Sequence, residues 1–327
     1  MLRNALLALS LVLSTGSITF PIAAQAQPTA KVYRIGLLSS ASSSSSLEVE
    51  ALREGLRRLG YAEGRNLAFE TRWADGNSAA LPALARSLVE RKVDVICSFT
   101  TPATLAAKQA TTTIPIVFLA AFPVQTGLVA SLARPGGNLT GVAFIGEEYG
   151  KRLELLRELS PRLARVALLY NDQNPASVLA MKETQRWAQP LGIALEPRGV
   201  HSQESIDMAF AGMARNPPGA LMTTADAVVL SFQKEIVAFA AKHRLLSMFP
   251  DRAVAELGGL MFYGTSVTDM WRQAAVHVHR ILQGARPADL PVEQPMRFEM
   301  AINLKTAKAL GITIPQLLLL RADRVIE

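Results

Sequence analysis

Hydroxyl and amide side chains cluster directly after short apolar runs along this chain, where they could receive a small polar ligand. Ser39–Ser46 is almost all serine and follows Val32–Leu38, and Ser45 and Glu48 have capping-box spacing for a helix start. Two readings fit that loop: a receptor for a carboxylate or polar group around Ser40, or a flexible polar connection. Ser98-Phe99-Thr100-Thr101-Pro102 follows a second run. There Thr100 or Thr101 is expected to cap a helix and leave backbone donors for an anion. Phe122-Pro123 follows a third run. Further along come Tyr170 to Pro175 with Asn171 and Asn174, then Thr223-Thr224-Ala225-Asp226, Phe249-Pro250 and Tyr263-Gly264-Thr265. Phe122, Tyr170, Phe249 and Tyr263 would form an aromatic lining, and Asp226 would face an ammonium group.

The same residues supply no catalytic set. Gly36-Leu37-Leu38-Ser39-Ser40-Ala41 lacks the later glycines of a dinucleotide fingerprint, and neither a phosphate-binding GxxxxGK[ST] loop nor a GxSxG elbow is present. Cys97 is the single cysteine, so a two-thiol racemase is excluded, and an intrachain disulfide with it. Its setting, Val93–Cys97, suits a buried small apolar group. His277 and His279 stand two apart on an expected helix and point apart, a poor metal pair. No cofactor and no metal are expected.

The elements that position these clusters alternate between strand and helix. Val32–Leu38, Leu67–Arg72, Val93–Cys97 and Ile116–Leu119 read as strands. Between them lie helical stripes on Leu52, Leu56 and Leu59, on Leu81, Leu84 and Leu88, and over Pro102–Ala110. The pattern then restarts. Lys151–Leu159, Ala176–Leu191, Ser205–Arg215, Val228–His243 and Val267–Gly284 read as helices. Arg165–Tyr170, Ile193–Glu196, Ala220–Thr223, Leu245–Phe249 and Gly259–Tyr263 read as strands. Such alternation implies α/β architecture: two Rossmann-like lobes, each a parallel sheet flanked by helices. In open parallel sheets, ligands collect beyond the strands' carboxyl ends, where every cluster above falls. The turn Pro135-Gly136-Gly137-Asn138 stands near the changeover, consistent with a hinge-side connection.

Arg3, an apolar run from Ala5 to Val12 continuing weakly to Ile22, and Ala24-Gln25-Ala26 describe a secretory signal peptide over residues 1–26, cut after Ala26. Export to the periplasm follows. No cysteine near the cut could carry a lipid. The 34 basic and 27 acidic residues, net +7, are interspersed, as in Lys151-Arg152-Leu153-Glu154, which reads as a solvated helix face. Nucleic-acid binding would want a concentrated basic patch.

Several stretches carry a family resemblance: Gly55–Asn66 (GLRRLGYAEGRN), Leu81–Ile96, Thr101–Val117, Gly127–Gly141 (GLVASLARPGGNLTG), Gly258–Tyr263, Ala285–Glu293 and Ile302–Glu327. The chain resembles the ABC transporter substrate-binding proteins of the tryptophan/tyrosine transport type, which have the type I periplasmic binding protein fold. The resemblance implies two lobes joined by a three-segment hinge. Residues 31–143 plus 266–291 would form the first lobe, and 144–265 plus 292–327 the second. It implies a non-catalytic solute-binding component of an importer. The lobes would close on a small polar or aromatic ligand, such as an amino acid, and the protein, a monomer, would dock on an ABC permease with its ATPase. The alternatives are a ligand sensor feeding a receptor and a periplasmic enzyme on the same scaffold. Ligand-facing positions carried over are Ser40, Thr100, Thr101, Phe122, Asn171, Asn174, Asp226 and Tyr263. Phe122-Pro123 stands where many relatives have Asp-Pro, and Ala227 where relatives often have proline.

Overall fold

Period-two alternation in the strands decides the layering of the first sheet, as seen in a computed structural model that describes residues 31–41, 46–144, 146–295 and 297–327. The signal segment and the Ser45–Glu48 capping box fall largely or wholly outside those residues. The first half of the chain runs β1 (Tyr33–Ser39), α1 (Ser46–Arg58), β2 (Leu67–Trp73), α2 (Leu81–Glu90), β3 (Val95–Phe99), α3 (Thr101–Ala110), β4 (Ile116–Ala121) and β5 (Leu139–Phe144). All five strands are parallel, in the order β2-β1-β3-β4-β5. Ile35, Leu37, Val95, Cys97, Val117 and Leu119 point to one face. Leu38, Ile96, Ile116, Phe118 and Ala120 point to the other, against α2 and α3.

The second half continues with α4 (Glu147–Leu159), β6 (Arg165–Tyr170), α5 (Pro175–Ala188), β7 (Ala194–Gly199), α6 (Gln203–Arg215) and β8 (Ala220–Thr223). Then come α7 (Ala227–Ser231), α8 (Gln233–Lys242), β9 (Leu246–Phe249), α9 (Arg252–Glu256), β10 (Met261–Thr265) and α10 (Val267–Leu282). The chain finishes with β11 (Phe298–Asn303), α11 (Leu304–Leu310), α12 (Gln316–Arg321) and β12 (Arg324–Ile326). The second sheet has the order β12-β11-β10-β9-β8-β6-β7.

This sheet departs from the all-parallel expectation, because β11 runs antiparallel to β10. The segment leading into β11 arrives from the first sheet and must enter from the carboxyl end of β10. A second departure concerns Val228–His243, expected as one helix. It breaks at Phe232, where φ is −93° and ψ 10°. There the Ser231 hydroxyl donates to the Val228 carbonyl at 2.6 Å, competing with the helical ladder.

The chain passes between the sheets after Phe144, after Thr265, and between Leu290 and Phe298. On the second passage α10 packs back onto α1, with Met270, Trp271, Ala274 and Val278 buried against Leu52 and Leu56. Gly55 allows this approach, since a Cβ there would stand 2.7 Å from the Ala275 Cβ. On the third passage Glu293 donates to the Gly141 carbonyl at 2.9 Å and accepts from the Ala143 amide at 2.8 Å, running beside β5. The Pro135–Asn138 turn lies at the entry to β5, the end of the strand away from the passage after Phe144. Asn138 there holds the carbonyls of Thr111 and Ile114. It is therefore not a hinge-side connection.

Candidate ligand site

A cavity of about 540 Å³ opens at the carboxyl ends of both sheets and is lined from both. From the first sheet come Phe99, Thr100, Thr101, Ala121 and Phe144; from the second, Tyr149, Arg152, Asn174, Asp226 and Asp251. Thr265 and Val267, at the second passage, close one side. This is the location that parallel-sheet geometry favours for a ligand.

On the first-sheet side, Thr100 does not cap α3 with its side chain. Its hydroxyl instead pairs with the Ser40 hydroxyl at 2.6 Å. Thr101 Oγ1 donates to the Ala121 carbonyl at 3.1 Å and lies 3.2 Å from the Ala121 amide, tying the helix start to the end of β4. The expected cap is thus replaced by cross-strand bonds. The helix N-terminus has no side-chain acceptor, and its first N–H groups lack intrahelical partners. Thr100 has φ 82° and ψ 152°, a region that costs a residue with a Cβ on the order of 1–3 kcal/mol.

On the second-sheet side, Asp226 sits at the centre of a buried polar network. Its Oδ1 accepts from Asn171 Nδ2 at 3.1 Å and from the Val228 and Val229 amides at 2.9 and 3.3 Å, capping α7. Its Oδ2 accepts from Asn174 Nδ2 at 2.7 Å. Asn174 in turn caps α5 through the Ala176 amide, with Pro175 in the first turn. The Asn171 amide donates to Ser177, whose hydroxyl meets that of Thr224 at 2.8 Å. Three helix and loop starts are thereby locked around one carboxylate. Asp251, also on the wall, caps α9 through the Ala253 amide. Burial holds its carboxyl above the usual aspartate range, and the Ala253 bond and Arg252 partly offset that.

Of the positions read from sequence, Thr100, Thr101, Asn174 and Asp226 reach the cavity wall. Ser40 and Asn171 stand directly behind, bonded to Thr100 and Asp226 respectively. The four aromatic rings lie elsewhere. Phe122 is buried between α4 and α5, stacked on Tyr149 with centroids 6.4 Å apart and planes at 11°. Tyr263 stacks on Phe298 at 5.7 Å, and Phe249 fills the core under α8. Tyr170 is also absent from the wall. For Tyr170 and Phe249 alternation explains the miss, since a strand's last residue points into a helix layer as readily as toward the opening. Tyr263 stands inside β10, short of its carboxyl end, and Phe122 turns in between α4 and α5. Phe99, Phe144 and Tyr149 are the rings that line the cavity.

Helix α4 supplies what sequence reasoning missed. Glu148, Tyr149 and Arg152 all line the cavity. Lys151 and Glu154 do form the exposed pair, at 2.8 Å, but Arg152 does not share their face and is 2 % exposed. The signal was present. Arg152 lies four residues before Leu156 and Glu148 four before Arg152, which puts both on the buried stripe of the helix. Burial pushes the Tyr149 hydroxyl up, so it stays protonated. Cys97 is wholly buried in β3, and desolvation raises its thiol pKa, as expected of a packing residue. His277 is buried in α10 with its Nε2 3.2 Å from the Pro291 carbonyl.

Two sheets open at a shared cavity, with three passages between them, define the type I periplasmic binding architecture. The chain belongs to the ABC transporter substrate binding protein family, whose profile it matches over residues 37–326. A tyrosine-binding protein of Clostridioides difficile (strain R20291) is 25% identical over 263 residues, 79% of this chain and 75% of that protein. Among solved structures, an ABC domain from Streptococcus pneumonia in complex with L-Trp superposes with a TM-score of 0.85 at 26% identity. It covers 90% of this chain and 100% of that one. A conserved domain protein from Vibrio cholerae gives 0.86 at 28% identity, with the same coverage. The protein is thus the substrate-binding component of an ABC transporter.

Proposed function

We propose that the protein captures an amino acid in the cavity by closure of its two lobes and releases it unchanged to an ABC permease. The lobes would be residues 31–143 with 266–291, and 144–265 with 292–327. The observation that carries the reading is the two-sided wall. Thr100 and Thr101 come from one sheet, Asn174 and Asp226 from the other, so contacts to both are complete only when the lobes are together. A ligand making contacts only in the closed form shifts the population toward it. The relatives that bind tyrosine and tryptophan supply the ligand class, and the apolar surface of Phe99, Phe144 and Leu119 suits an aromatic or aliphatic side chain. The uncapped start of α3 offers backbone N–H donors to a polar group of the ligand. Capture takes place outside the cytoplasm, after loss of residues 1–26, and no bond of the ligand is made or broken.

The test is titration with L-tyrosine and L-tryptophan, followed by melting temperature and small-angle scattering. Binding to the folded state alone raises the melting temperature, by about 2.7 kcal/mol of added stability at a hundredfold excess over Kd. The radius of gyration should fall at the same concentrations. A rise without compaction would remove closure, and chemical conversion of the ligand would remove the transport role.

A further inference from the structure

The charged groups on the cavity wall divide into those already engaged and those that are not. Asp226 and Asp251 are helix caps with backbone N–H partners. Arg152 donates Nε to the Tyr263 carbonyl at 2.7 Å, and its guanidinium carbon lies 5.0 Å from the centre of the Tyr149 ring. Its Nη1, however, is buried with no hydrogen-bond acceptor. No carboxylate among the described residues comes within ion-pair distance of it. Glu148, one turn earlier, is 6 % exposed and also has neither a hydrogen bond nor an ion pair among those residues. The two therefore share a helix face and a cavity without neutralising each other directly.

A buried guanidinium and a buried carboxylate are each costly unless paired and hydrogen-bonded. A protein that gained nothing from them would lose little by replacing both with apolar residues. Side chains at i and i+4 on a helix have Cβ atoms roughly 5–6 Å apart, which leaves room between them for a group carrying both charges. Resting on the amino-acid reading above, we propose that α4 carries a zwitterion receptor: Arg152 takes the ligand's carboxylate and Glu148 its ammonium. Asp226 then serves mainly to hold α5, α7 and the Asn171 loop in place, and the free start of α3 faces the remainder of the ligand. The Tyr263 carbonyl and the Tyr149 ring orient the guanidinium so that its unpaired N–H edge meets the incoming oxygen.

The experiment first screens the twenty amino acids by thermal shift. The best binder is then compared by calorimetry with its methyl ester, its decarboxylated amine and its deaminated acid. On the unmodified protein, the ester and both truncated compounds should each bind about tenfold to a hundredfold more weakly, the range for losing a charge-assisted hydrogen bond. In Arg152→Gln the amino acid should lose more affinity than the amine does. In Glu148→Gln it should lose more than the deaminated acid does. Should Arg152→Gln fail to fold, Arg152→Lys, which keeps the charge but not the planar fork, carries the same comparison. The amino acid should again lose more affinity than the amine, and equal losses overturn the proposal. Equal binding of ester and acid overturns the proposal, as does a screen in which no amino acid binds. A neutral solute that binds and compacts the protein would overturn the zwitterion receptor while leaving solute capture by closure intact.

Discussion

Asn174 Nδ2 donates to Asp226 Oδ2 at 2.7 Å, and that bond joins the start of α5 to the start of α7 across the floor of the cavity. Both partners are also helix caps, so one change disturbs two helices and a loop. Replacing Asp226 with alanine removes the cap of α7 and strands the buried amides of Asn171 and Asn174. The expected loss is about 2–4 kcal/mol of stability, checked by denaturant unfolding. Asp226→Asn should lose less, since asparagine still caps.

Thr100 supplies a test of backbone strain beside the ligand. Alanine and glycine both remove the bond to Ser40, but only glycine adopts φ 82° and ψ 152° without steric cost. Thr100→Gly should therefore be more stable than Thr100→Ala by about 1 kcal/mol. Equal stabilities would show that the strain is absent in solution.

Cys97 should be inert toward thiol reagents in the native protein. The side chain is buried in β3 and desolvation disfavours the thiolate, the reactive form. Labelling with a maleimide should follow the rate of global unfolding and accelerate with denaturant. Fast labelling of the folded protein would place the thiol at a surface.

Asp251 makes stability depend on pH in a stated direction. Its carboxyl holds a proton to higher pH when folded than when unfolded, chiefly through burial. The folded state then binds more protons over that interval, so stability falls as pH rises from the ordinary aspartate value to the folded one. Asp251→Asn keeps a capping side chain and removes the charge. Its melting temperature should exceed that of the unmodified protein at pH 7, and the gap should close at pH values below the ordinary aspartate range.

How much of this was legible depends on which residues carried periodic signal. Arg165–Tyr170 and Ala220–Thr223 were readable to the residue, because apolar runs bounded by charged or turn residues admit one strand placement. β11, reading FEMAIN, was not, for it has one β-branched residue and alternates a glutamate with methionine and alanine. At the site, Thr100, Thr101, Asn174 and Asp226 were found because they follow strands. Arg152 and Glu148 were missed because charge next to charge at Lys151 and Glu154 suggested solvent. Only the phase of the helix, carried back from Leu156, separates the buried pair from the exposed one.

The packing of α10 onto α1 has an outcome for the order of folding. Leu52 and Leu56 emerge from synthesis more than 200 residues before the Met270 and Trp271 that cover them. Until then, α1 alone covers that face of the first sheet, and a chain stopped at Thr265 would leave the greasy surface that α10 buries open. The half made first is thus the half completed late, and its maturation waits on the return of a distant helix after the intervening strands have been laid down.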